Sequence, residues 1–196
     1  MKRLLFFCVT LFLGIPLFAH NTGGRQPVEY VRNDGQWEGD FHFRGTTPHG
    51  NIYLMPGRFR IVQLEASFHD IRQRLHSDPK AMQEQFKYHV YDMGFVGANL
   101  QATLKTDKAQ SHYYNYFLGN DQARWKTGIH PVLSVDYLNL YQGIDAHIYS
   151  DNGHVKYDLL VAAGADAQQI EIDSLDKCSI SGGEILKKIE FRQKKT

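Results

Sequence analysis

Residues 143–161 constrain the fold more than any other stretch of the chain. Ile144, Ala146 and Ile148 fall on one face of an extended segment, Asp151-Asn152-Gly153 supplies a turn, and Val155, Tyr157, Leu159 and Val161 share a face again. Successive side chains of a strand point to opposite faces, so an apolar residue at every second position asks for one buried face. The Asn-Gly step tolerates the positive φ that a tight two-residue turn requires, and turn and alternation together set the register. The stretch therefore predicts an antiparallel hairpin.

The same logic applies elsewhere. Ile52 and Leu54 alternate within 51–55, Phe59 and Ile61 within 58–64, and Pro56-Gly57 between them fits the middle of a type II turn. Over 86–96 the large side chains change phase, Phe86, Tyr88 and Val90 giving way to Tyr91, Met93 and Phe95, which predicts a long bent strand with a one-residue β-bulge. Segments 100–104, 132–137, 170–172 and 184–191 are shorter strand candidates. One helical segment is expected over 67–85, with Ser67 as cap, Phe68, Ile71 and Leu75 at helical spacing, and a break at Asp78-Pro79. Its charges are mixed, Arg72, Arg74 and His76 being offset by Asp70 and Asp78, so it reads as a connection lying over the sheet, with membrane binding as the weaker alternative. No internal repeat is present. The expectation is an all-β, mainly antiparallel fold, a β-sandwich of hairpins with one helical connection near 67–85. Trp37, Phe41 and Phe43 are expected to anchor the first strands, and Gly97, Gly119, Gly143 and Gly164 to sit at turns or close approaches.

The first nineteen residues read as a secretory signal: Lys2 and Arg3 form a basic start, 4–13 an apolar run, and Gly14, Pro16 and Ala19 suit a break and a cleavage site after Ala19. The run is short for a bilayer core that needs about 20 apolar residues, so no stable membrane span is expected after cleavage. Cys8 lies inside the run, not after it as a lipid anchor would need. Cleavage leaves 177 of the 196 residues, with 20 basic against 21 acidic side chains and Cys178 as the one cysteine. No intrachain disulfide can then form, and a lone thiol is usually a small buried apolar group. The domain is expected at 20–186, followed by a basic tail over 187–196 with Lys187, Lys188, Arg192, Lys194 and Lys195. Export places the protein outside the cell or at its surface, with the periplasm as an alternative.

The chemistry visible in the sequence is sparse. A balanced charge of +1 gives no electrostatic reason for a nucleic-acid partner. The ten histidines, His20, His42, His49, His69, His76, His89, His112, His130, His147 and His154, form no HExxH pair and join no cysteine at ligand spacing. A site assembled across the hairpin by His147 and His154 is the one metal alternative. No GxSxG elbow or Gly-rich phosphate loop is present. Asn120-Asp121 and Asp151-Asn152-Gly153 lack the alternating oxygen ligands of a calcium loop and read as turns. Carboxylates on different strands could converge for glycosidic cleavage, which sequence leaves open. Tyr113, Tyr114, Tyr116 and Phe117 read first as packing residues, and Trp37 and Trp125 as the aromatics a sugar would stack on if they are exposed. No catalytic, cofactor-binding or metal residue is assigned, and the chain is expected not to be an enzyme.

Several motifs resemble one family. They are Asn33-Asp34-Gly35-Gln36-Trp37 with Phe41-His42-Phe43-Arg44 after it, Phe95-Val96-Gly97-Ala98-Asn99, and Asn115-Tyr116-Phe117-Leu118-Gly119-Asn120-Asp121 with Trp125-Lys126-Thr127. Tyr141-Gln142-Gly143-Ile144-Asp145 follows, and then the run from Tyr157 to Asp166. In this order, across about 28–172, they resemble the uncharacterised N-terminal β domain that precedes SBBP-type β-propeller or PKD-type β-sandwich repeats in large bacterial surface proteins, especially of Bacteroidetes. The resemblance implies a secreted or cell-surface β module, structural or adhesive, with no established activity, no catalytic residues and no cofactor. Its partners would be following repeat domains or surface glycans. A carbohydrate-binding or carbohydrate-processing domain is the alternative. The segment 67–85 is individual to this chain, and relatives continue into repeats where this sequence stops at Thr196, so a truncated fragment of a larger surface protein, from an interrupted gene, is the third expectation.

Overall fold

The computed structural model describes residues 26–74, 77–78 and 87–181. The expected signal over 1–19, the end of the helical segment, the strand candidate over 184–191 and the basic tail lie outside the described residues.

Among the described residues the fold is all-β and mainly antiparallel, with one α-helix. The first sheet takes β1 (Tyr30–Arg32), β2 (Phe43–Thr47), β3 (Gly50–Met55), β4 (Arg58–Leu64), β5 (Lys87–Phe95) and β12 (Ile172–Ser181) in that order. The second runs β11 (His154–Val161), β10 (Ile144–Asp151), β9 (Val135–Tyr141) and β6 (Thr103–Thr106). A separate two-stranded ribbon joins β7 (Tyr114–Tyr116) to β8 (Lys126–Ile129). No helix among the described residues is long and apolar enough to cross a membrane.

The two anticipated hairpins form in the expected register, but the face shared by Val155, Tyr157, Leu159 and Val161 is not buried as the alternation asked: Val155 and Leu159 are half-buried, Tyr157 and Val161 exposed, because no described strand lies beyond β11. In β10–β11 Asp151 opposes His154 across Asn152-Gly153, both at positive φ (51° and 74°), while Ile144, Ala146 and Ile148 are fully buried. In β3–β4 Met55 opposes Arg58 and Gly57 takes φ +61°, as the third residue of a type II turn must. The four glycines expected at turns, Gly97, Gly119, Gly143 and Gly164, all have positive φ.

Both sheets contribute to one buried cluster, Phe43, Ile52, Leu54, Phe59 and Phe95 from the first and Val135, Tyr137, Tyr141, Ile144 and Ile148 from the second. Three tyrosines tie the sheets by their hydroxyls. Tyr30 donates to Tyr149 O (3.1 Å), Tyr137 to Met55 O (3.1 Å) and Tyr141 to Val96 O (3.0 Å). A tyrosine can bury its ring only if its hydroxyl finds an acceptor, so each bond fixes where the opposite sheet must lie.

Some elements differ from expectation. The phase change over 86–96 is not a bulge in that strand: β5 pairs with β4 in unbroken register from Arg58 opposite Gly94 to Leu64 opposite Tyr88, and the shift lies in β12 between Asp176 and Ser179. The large residues change phase because β5 is covered on both faces. Met93 and Phe95 face the main core, whereas Tyr88 and Val90 pack under Phe68 and Ile71 of α1 (Ala66–Arg74). The helix starts before Ser67, whose hydroxyl donates to Glu65 Oε2, so Ser67 is not its cap. Strand β6 begins three residues later than expected, Leu100 being exposed, and β9 continues to Tyr141 through an irregularity at Asn139 (φ 54°) whose N–H bonds Asp145 Oδ1. β1, β7 and β8 are too short for a periodicity argument.

Candidate functional site

A line of aromatic rings runs over the outer face of the first sheet and onto the β7–β8 ribbon. The sequence His112, Tyr114, Tyr116, Trp37, Phe41, Tyr53 has successive centroid separations of 5.6, 6.3, 4.8, 6.0 and 5.0 Å. Trp37 is brought there by a turn in which Asn33 Oδ1 accepts from the N–H groups of Gly35 and Trp37, and Gln36 bonds Arg32 O and Asp34 N. Its ring is 8% exposed and packs with Val31 and Ile129.

Arg44 lies against this line, its guanidinium carbon 3.9 Å from the Trp37 ring centroid. Contact with a ring face partly replaces the water a buried cation loses. Burial pulls the guanidinium pKa below its ordinary value, opposed by the phenols of Tyr53 and Tyr116, and Arg44 Nε is buried without a hydrogen-bond partner. At the solvent end the Glu29 carboxylate accepts from Tyr114 Oη (2.5 Å) and lies 3.0 Å from His112 Nε2. That bond, first, and burial, second, push the Tyr114 phenol up to about 12. The line thus grades from Trp37, buried against the half-buried Arg44, to solvent-facing rings at His112 and Tyr114, the latter 38% exposed; Tyr113, 57% exposed, lies off the line against His130.

The sequence expectations divide here. Trp37 and Phe43 are buried anchors as expected, though on opposite faces of the first sheet, in the aromatic cluster and the main core respectively; Phe41 is half-buried. Burial removes Trp37 as a sugar platform. Trp125 is 38% exposed, edge-on to Phe117 at 5.6 Å, with its indole N–H donated to Gly119 O. The packing role expected of Tyr113 and Tyr114 is not what the structure shows, because the ribbon stands at the margin and leaves those rings in water. Tyr116 and Phe117 are half-buried.

Away from this line lie the two hairpin histidines, the two acidic turns and the cysteine. His147 Nδ1 lies 2.5 Å from Asp136 Oδ1 and its ring stacks on Tyr149, while the hairpin register puts Asp158 opposite His147 and Asp151 opposite His154. His147 and His154 are therefore not brought together, and no group of three His, Cys, Asp or Glu among the described residues could hold a metal ion. Asp121 caps the N–H of Ala123, the local backbone bond expected of a turn residue, whereas Asp151 accepts from the side chains of Asn152 and Lys156 instead. Cys178 is carried by β12, where side chains lie outside the description.

A cleft of about 350 Å³ opens beside Gly57, Arg58, Gly97, Leu100 and Asp173. Asp92 in its wall is 2% exposed and held by Arg60 Nε and Nη2 at 2.8 and 2.9 Å, with Arg58 at 3.8 Å. A carboxylate so engaged is a structural counter-ion. Sequence reasoning passed over Asp92, Arg60 and Arg44. For Arg60 and Asp92 the signal was a charge in the phase that elsewhere on the same strand carries an apolar residue, Val62 and Leu64 on β4, Tyr88 and Val90 on β5; Arg44 shares its phase on β2 with Thr46 and gave no such signal.

No curated protein and no solved structure matches the chain. A family model described as "Domain of unknown function (DUF7948)" matches residues 30–195, a span that takes in every described strand and the aromatic line built on them. The chain belongs to the DUF7948 family.

Proposed function

We propose that this chain is a non-enzymatic β module of a secreted or cell-surface protein, with a structural or adhesive role. The observation that carries the proposal is the exposure of Tyr113, Tyr114 and Trp125 on and beside the β7–β8 ribbon, each ring held by a neighbour: Tyr114 through Tyr116 to the Trp37–Arg44 base, Tyr113 against His130 and Trp125 against Phe117. Rings that are exposed yet held in place from behind offer contact area with little side-chain entropy to lose on binding. The signal-like first nineteen residues support export, and the motif order supports a place ahead of SBBP- or PKD-type repeats in a bacterial surface protein. Adhesion is tested by binding the purified protein to intact cells and matrix proteins. Loss of that binding in a Tyr113→Ala, Tyr114→Ala, Trp125→Ala triple variant with unchanged circular dichroism is expected. Saturable turnover in a hydrolase panel, abolished by one Asp, Glu or His substitution, would overturn the non-enzymatic reading. Sequencing the native gene beyond the Thr196 codon tests the association with repeats.

A second reading is carbohydrate binding, favoured by the exposure of Trp125 and its fixed orientation against Phe117. A glycan array without signal above background would remove it.

A further inference from the structure

Strand β11 ends the second sheet, and no described strand pairs with its free side. It pairs with β10 without a register shift over all eight residues, from Ile144 opposite Val161 to Asp151 opposite His154. It contains no proline and no bulge, and the edge-blunting charges it carries are of opposite sign, Lys156 and Asp158. Its apolar residues are poorly covered: Leu160 is 56% exposed, Val161 44% and Tyr157 37%. Covering them needs a strand laid alongside.

We propose that β11 pairs antiparallel with β11 of a second copy of this chain, about a two-fold axis at Tyr157, joining two four-stranded sheets into one. The register follows from pleat and charge. Directly opposed residues must share a face, so Val155, Tyr157, Leu159 and Val161 lie in one set and His154, Lys156, Asp158 and Leu160 in the other, with no opposition between the sets. An axis at Lys156 would set that lysine against its own copy. An axis at Asp158 would do the same with two carboxylates. An axis at Tyr157 sets Lys156 against Asp158 twice, with Val155 against Leu159 on the inner face. Opposite charges in directly opposed positions stabilise a strand pair, and like charges destabilise it. Both residues are exposed; Lys156 bonds the exposed Asp151 at 2.7 Å, which a long flexible side chain can share or leave.

The test is sedimentation equilibrium of the purified protein from micromolar to millimolar concentration, at low and high salt. A monomer–dimer equilibrium that weakens with salt is expected. Lys156→Asp alone and Asp158→Lys alone should each weaken the dimer roughly tenfold or more, because each turns two attractive pairs into repulsive ones. The double variant Lys156→Asp with Asp158→Lys should restore it to within a few fold. Thermal melts of all three check that the fold is intact. A monomer throughout would overturn the proposal and leave the edge to the chain's own residues 182–196 or to another protein. Dimers whose strength ignores the charge exchange would overturn it equally, by placing the contact elsewhere.

Discussion

The outer faces of the two sheets are built from similar residues and serve different ends. On the first sheet one cross-strand row reads Val31, Arg44, Tyr53, Arg60, Asp92; on the second a row reads Lys105, Asp136, His147, Asp158. Both rows mix charge with aromatic or apolar neighbours. The first is covered, by Trp37 and its ring neighbours over Arg44 and by α1 over the adjoining Tyr88 and Val90, and its charges are locked into a cation–π contact and a two-point ion pair. The second stays open, and its His147–Asp136 contact is shared with water. The same side-chain chemistry is therefore structural where a second layer excludes solvent and ordinary surface where it does not, because removing water raises both the attraction between charges and the cost of leaving one unpaired.

Four measurements would break or sharpen that contrast, the first three by urea denaturation. Trp37→Ala should lose about 3–5 kcal/mol, since it empties the space among Val31, Ile129 and Tyr116 and leaves the half-buried Arg44 without its ring. Trp125→Ala, on an exposed ring, should lose about 1 kcal/mol or less. Equal losses would mean that the burial of the Trp37 cluster contributes nothing special. Next, Asp92→Ala should lose about 2–4 kcal/mol, below the upper end for a broken buried pair because Arg60 is one-third exposed and can turn to water. Asp136→Ala on the open face should lose under about 1 kcal/mol. Tyr137→Phe should cost about 1 kcal/mol by withdrawing the donor from Met55 O, an effect both faces would register because the bond joins the sheets.

The fourth measurement is the alkaline limit of stability. Burial raises the pKa of Tyr30 and Tyr137 above that of a free phenol. A raised folded-state pKa contributes stability that is complete below the unfolded value, near pH 10, and is lost as pH climbs toward the folded value. Stability should therefore fall above about pH 10. The phenolate absorbance of these two residues should grow in only with loss of the near-ultraviolet circular dichroism. Phenolate formation at Tyr30 or Tyr137 in the intact fold would show that the sheets part more easily than their shared core implies.

Sequence reading succeeded where one face is wet. On β10 the apolar phase is clean because Asp145, His147 and Tyr149 face outward beside buried Ile144, Ala146 and Ile148. It misread β5 because α1 covers what would have been the wet face, and a strand buried on both sides loses its period of two. At the candidate site Trp37 and Trp125 were equivalent as letters. Trp37 became core because Tyr116 and Ile129, 79 and 92 residues away, close over it together with its neighbours Val31 and Phe41, whereas Trp125 meets Phe117 and Gly119 and stays at the surface.

What the sequence determined by itself is local: the Asn152-Gly153 and Pro56-Gly57 turns, the hairpins they close, the all-β class and the position of the helix start to within a residue. Backbone preference and alternation act over a few residues, so a single chain displays them. The tertiary structure alone decided which charges are withdrawn from water, Asp92 fully and Arg44 in part, which rings face water, as at Tyr113 and Trp125, and which strands end the sheets among the described residues, as β11 does. Those outcomes depend on which distant segment arrives to exclude solvent, and no residue carries that information in its own neighbourhood.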